Sequence, residues 1–165
     1  MVNTFMPHPD FEQIAQVLDN KRLGKQRVEA MQILNVLEDP TRKAWRNHPA
    51  AVQWRGYTEH LKLYINTMID EWIKRGFKNS MKKYEVANAA ALLASLPWFV
   101  TCKAVNLSHQ ASLIRKLPEH YSKFFFDVPE EFAKYSYIWT GALTEEQVAA
   151  LKAGDLDVTK YAKPL

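Results

Sequence analysis

Residues 50–76 read AAVQWRGYTEHLKLYINTMIDEWIKRG, and their spacing decides the fold class. Tyr57, Leu61, Tyr64, Ile65, Met68, Ile69, Trp72 and Ile73 recur at steps of three and four, the period of one face of a helix. This broad apolar stripe predicts a long helix from about Ala50 to Arg75, buried along that face. Lys74, Arg75 and Gly76 mark its end: cations for the negative end of the dipole, then a residue free to turn left-handed. No run elsewhere sustains the two-residue alternation of a strand, so the expected class is all-α.

Toward the N-terminus, Asp10 and Gln13 have the spacing of a cap and its reciprocal partner. Ile14, Val17 and Leu18 follow at helical steps, and the pattern resumes with Val28, Met31, Leu34 and Leu37 before Pro40. These predict one helix bent near Gly24 or two helices meeting there. Toward the C-terminus, further helices are expected over Glu85–Leu96, Ser108–Arg115 and Glu119–Phe125. A last one begins at Thr144, with Gln147 completing a capping box and Gly154 closing it. The expected architecture is a compact single-domain helical bundle with long loops. It has a core over about residues 2–140 and a C-terminal extension over 141–165.

Composition narrows the function classes. The 165 residues are 47% hydrophobic and 24% charged, ordinary usage for one folded domain rather than for a disordered chain. The longest mostly apolar stretch, Ala89 to Val100, is too short for a membrane span. The opening MVNTFMPHPDF lacks the basic and apolar regions of a secretory signal. One cysteine, Cys102, forms no internal disulfide and supplies no thiolate zinc set, so an intracellular, reducing compartment is expected. No two of the five histidines sit at the i, i+4 spacing of a helical zinc pair. Phosphate-loop, dinucleotide and nucleophile-elbow motifs are all missing.

Two stretches carry chemistry. Residues 19–29, DNKRLGKQRVE, hold Lys21, Arg22, Lys25 and Arg27 before the first acid of the helix, Glu29. On a helix, Arg22, Lys25 and Glu29 fall at i, i+3 and i+7, on one face. A carboxylate among cations suits the stabilisation of a cationic intermediate. The same spacing also describes a solvated ion pair between Lys25 and Glu29. Between Asn20 and Asn47 there are seven Lys and Arg against three acids, with Trp45 and His48 interleaved. Cations for phosphates beside aromatics for stacking suit a nucleic acid, and the net charge of +4 permits one. The second stretch, residues 108–125, SHQASLIRKLPEHYSKFF, joins His109, Arg115 and Lys116 to aromatic residues whose default place is the core.

These blocks, with NHPAAVQWRGYTEHLKLYINTMIDEWIKRGF between them, resemble the pyrimidine-dimer DNA glycosylase family in order, from about Val2 to Tyr137. The resemblance implies a compact all-α fold and a DNA repair reaction without metal or organic cofactor. It implies that Met1 is removed and that the amine of Val2 attacks C1′ of a damaged nucleotide. A Schiff base then forms, and β-elimination nicks the strand. The family's glutamate falls on Glu29. Arg22, Lys25, Arg27, Arg46, His48, His109, Arg115 and Lys116 are the expected DNA contacts. The family arginine that precedes its glutamate is Val28 here, with Arg27 one residue away. The expected partner is damaged double-stranded DNA, met by a monomer. Two rivals stay open: a DNA-binding module that has lost its chemistry, and a glycosylase for another modified base.

Overall fold

The computed structural model describes residues 2–165. Among them are nine α-helices and no β-strand, so the fold is all-α. The helices are α1 (Phe11–Val17), α2 (Asn20–Glu38), α3 (Pro49–Trp54), α4 (Thr58–Lys74), α5 (Ala89–Ala94), α6 (Trp98–Thr101), α7 (Lys103–Lys116), α8 (Pro118–Tyr121) and α9 (Glu145–Lys152). The long helices α2 and α4 lie against each other at the centre, α1 closes on α4, and α3 on α2. An aromatic cluster ties four helices together: Phe11 meets Tyr64 at 5.3 Å, and Trp54 meets Phe99 at 5.0 Å and Tyr64 at 5.8 Å. These edge-on and tilted contacts suit the ring quadrupole as well as the burial.

The first bend lies at Leu18–Asp19, not at Gly24. Asp19 caps α2 by accepting the Arg22 N–H at 3.3 Å, and the Tyr121 hydroxyl also donates to its carboxylate. The free carbonyls at the end of α1 are met by side chains. Arg75 Nη2 donates to Ala15 O at 3.0 Å and Gln16 O at 3.1 Å, and His120 Nε2 lies 2.8 Å from Val17 O. Such orphan carbonyls need partners wherever a helix stops. Gly24 instead sits inside α2, where a Cβ would come within 2.9 Å of the Trp72 ring. Its role is the close approach of two helices rather than a bend.

The long helix expected over Ala50–Arg75 is two, α3 and α4, parted at Arg55–Tyr57. The apolar stripe of Tyr57 to Ile73 belongs to α4, which buries Leu61, Tyr64, Ile65, Met68 and Ile69. Glu85–Leu96 yields only the six-residue α5, and 119–125 only the single turn of α8. Conversely α7 starts at Lys103, five residues before the expected start, and its added turn buries Ala104, Val105, Asn106 and Leu107. The capping box of Thr144 and Gln147 is present at the start of α9. Residues 141–165 pack onto the rest, with Leu151, Val158 and Tyr161 part of the same core cluster.

Candidate active site

The chain does not begin with a helix. Residues 3–6 are all buried outside any helix, and side chains from four helices bond to their polar groups. Gln26, fully buried on α2, accepts the Phe5 N–H at 3.1 Å and donates to Asn3 O at 2.9 Å. The Tyr64 hydroxyl donates to Gln26 Oε1 at 2.5 Å and lies 3.3 Å from Phe5 O, its alternative acceptor. From α7, Asn106 donates to Met6 O at 2.7 Å and Gln110 to Pro7 O at 2.8 Å. Buried backbone groups must be paired, and here no ladder does it. Trp54 Nε1 fixes the Thr4 hydroxyl at 3.0 Å.

This pairing brings the start of the chain to the carboxylate of α2. The Asn3 N–H donates to Glu29 Oε2 at 3.4 Å, one peptide unit from the Val2 nitrogen. Val2 and Glu29 line one recess together with Lys25, Arg27 and Trp72. A second recess of about 480 Å³ shares Lys25 and Glu29 with it and adds Arg22, Lys116, Tyr137 and Trp139. A third, about 320 Å³, adjoins on the other side of Val2 and is lined by Arg42, Trp45 and His48. Burial, then the charges of Arg22 and Arg115, lower the Lys116 pKa from its usual value. Met1, whose removal the family resemblance implies, lies outside the described residues.

The expected DNA contacts divide. Arg22, Lys25 and Lys116 line the recess of Glu29, although Arg22 also pairs with Asp19 at 3.2 Å. Arg27 borders the Val2 recess, with its guanidinium 4.3 Å above the Trp72 ring and 2.7 Å from Asn79 Oδ1. His48 borders the third recess and caps α3, its Nδ1 accepting the Ala50 N–H at 3.1 Å. Arg46 spends its donors on the carbonyls of Val36, Asp39 and Arg42, which folds the loop that carries Trp45. Trp45 has a left-handed φ of 68° and is 54% exposed. Such strain, about 1–3 kcal/mol, is kept where the surroundings enforce it. Arg115 turns to Ala133 O and Ser112 Oγ, outside these recesses.

His109 is not a surface contact, and the reason is physical. It is 3% exposed, and its Nδ1 accepts the Met6 N–H at 3.1 Å, which requires a neutral ring. Burial pushes its pKa down to about 3. In the unfolded chain the ring takes up a proton below about pH 6.5. The folded protein refuses that proton until about pH 3. The unfolded state therefore binds the extra proton, and stability falls as the pH drops through that window, by about 1.4 kcal/mol per unit. Denaturant titrations between pH 7 and 4 should show this slope, and His109→Gln should shrink it by one proton. An unchanged slope would remove His109 from this role.

Gln26, Tyr64, Asn106 and Tyr137 went unseen as parts of the site. For Gln26 a signal existed: it occupies the buried register of Leu23, Ala30 and Ile33, where an uncharged amide has no place unless it serves a partner. Among the described residues no group of three His, Cys, Asp or Glu side chains could hold a metal ion. No helix among them is long and apolar enough to cross a membrane.

The family model described as pyrimidine dimer DNA glycosylase matches residues 2–85. The chain belongs to the pyrimidine dimer DNA glycosylase family. The match takes in the N-terminal segment, Glu29 and the cations of α2, so the residues that meet at the recess lie within the family's own region. As a member of a DNA glycosylase family the chain is an enzyme of DNA repair, with DNA as its substrate. No curated protein and no solved structure matches it.

Proposed function

We propose that this glycosylase cleaves the glycosidic bond of one pyrimidine of a dimer, forming a Schiff base with the sugar, and then nicks the strand by β-elimination. The observation that carries the proposal is the Glu29 carboxylate held at the Asn3 N–H, with Val2 and Glu29 in one recess. The Val2 amine, freed by loss of Met1, is the nucleophile. An α-amine has a reference pKa of about 7.7–8.0 against about 10.4 for lysine, so a useful fraction is neutral near pH 7. It bonds to C1′ as the glycosidic bond breaks. Ring opening gives an iminium, and loss of a C2′ proton expels the 3′ phosphate. Glu29 faces the positive charge that develops on the sugar and then on the imine, and it is placed to accept the proton. Arg22, Lys25 and Lys116 meet phosphates beside the lesion.

A second amine favours a variant of this reading. Lys116 lines the Glu29 recess with a lowered pKa and could carry the imine in place of Val2. Borohydride trapping on a duplex with an abasic site decides between them. The expected adduct maps to the peptide that begins at residue 2, and the intact mass shows Met1 gone. An adduct on Lys116 moves the imine to the lysine. No adduct leaves a DNA-binding module without this chemistry.

A further inference from the structure

Of the five tryptophans, Trp45 alone is exposed. It is also the one non-glycine residue among those described with a left-handed backbone, φ 68°. A single exposed aromatic is ordinary, but a bulky residue in that conformation is not. The frame around it is built for the purpose. Arg46 donates to the carbonyls of Val36, Asp39 and Arg42. Arg55 donates to Arg46 O and, at 3.1 Å, to Asn47 Oδ1, and the His48 N–H donates to Trp45 O at 3.0 Å. Two guanidiniums and a turn thus fix the backbone on both sides of the residue and enforce its strain. The side chain is held as well: the His48 ring lies 5.1 Å away and is itself edge-on to Trp139 at 5.8 Å.

The indole borders the recess of about 320 Å³ that Val2 also lines. Arg42, Lys43 and Arg46 make its loop positive. A rigid, exposed ring among cations, beside the reacting end of the chain, suits a flat base on a strand of phosphates. The dimer itself is not that base. Its two pyrimidines are saturated at the carbons that join them and are puckered, so they stack poorly. The flat base next to a dimer has therefore lost part of its stack, whereas a base in undamaged duplex is covered on both faces.

We propose that Trp45 stacks on the flat base adjoining the dimer and so reads damage as missing stacking. This rests on the reading of the chain as an enzyme of pyrimidine dimers. At a lesion the indole supplies a partner that the base lacks. At an intact step it would first have to unstack two bases, which costs free energy. The gain is confined to damaged DNA, while Arg42 and Lys43 attract phosphates of any sequence. A loop already fixed loses little freedom on contact, so the stacking counts almost in full toward binding.

The test is equilibrium binding to two duplexes of one sequence, with and without a pyrimidine dimer. Both carry fluorine on the 2′ carbons of the two nucleotides concerned, which disfavours a cationic sugar and keeps the dimer duplex intact. Trp45→Leu keeps an apolar side chain and removes the ring. Its preference for the dimer duplex should fall on the order of tenfold, with affinity for undamaged duplex nearly unchanged. Trp45→Phe, which keeps a flat ring, should retain more of the preference. Arg42→Gln should lower both affinities and leave the preference as it was. A smaller folded fraction also lowers both affinities together, so a destabilised variant remains informative. A preference that survives Trp45→Leu overturns the inference. So does a phenylalanine no better than leucine, since apolar bulk and not a flat ring would then be at work. Failure of the underlying reading looks different: the unmodified protein then shows no preference for the dimer duplex, and the inference falls with it.

Discussion

Glu29→Gln should lower single-turnover glycosidic cleavage and nicking by on the order of a hundredfold or more, while affinity for duplex DNA holds or rises. The amide keeps the size of the side chain and an oxygen for the Asn3 N–H, so the N-terminal segment stays in place. What goes is the negative charge that the proposed mechanism sets against the sugar as it becomes cationic. Loss of a charge beside Lys25 and Arg22 also makes the recess more positive toward phosphates. Lys25→Gln should act in the opposite sense, weakening binding and flattening its salt dependence by about one unit of slope, with less effect on chemistry at saturation. If Glu29→Gln lost binding and kept its rate, Glu29 would be a structural partner of the Asn3 amide and the catalytic assignment would fail.

Gln26→Met should be the most destabilising single change near the site. Methionine matches the volume of glutamine but leaves two buried groups without their partner, the Asn3 carbonyl and the Phe5 N–H, and takes from the Tyr64 hydroxyl the nearer of its two acceptors. At about 1–3 kcal/mol for each orphaned group, and allowing for relaxation, roughly 3–5 kcal/mol is expected. For a chain of this length that is a fall in Tm of about 10–20 °C. Tyr64→Phe removes one hydroxyl, and Gln26 Oε1 keeps the Phe5 N–H, so it should cost a fraction of that. Thermal unfolding of both variants measures the contrast. Equal, small losses would mean that the network does not hold the segment.

The parts of this fold that local spacing dictates could be read in the chain. The α4 stripe, the Asp10 cap, the Thr144 capping box and the cation–carboxylate face of α2 all follow from residues within two turns of one another. The segment 3–7 could not be read so. It has no period, and its hydrogen bonds come from Gln26, Tyr64, Asn106 and Gln110, between 21 and 103 residues away. His109 shows the same blindness from the other side. A histidine at a helical step beside Arg115 looks like a phosphate contact until the fold aims its ring at the Met6 N–H. Gly24 suggested a bend because a glycine weakens a helix, whereas Trp72, 48 residues on, decides its purpose. Asn3 and Tyr137 stand far apart in the chain, and only the closed fold puts both in one wall.

The anchoring of residues 3–7 sets a timetable for the ribosome. Residues 3–7 emerge early, yet their clasps at Asn106, His109 and Gln110 are made about a hundred residues later. At roughly 5–20 residues per second, several seconds pass between the two events. Throughout that interval α7 is not there to hold the segment. Once α7 has left the exit tunnel and docked, residues 3–6 are sealed in the core. A nascent chain halted at residue 85, complete in the family's matched region, would hold Glu29 but have no α7 to fasten its own beginning.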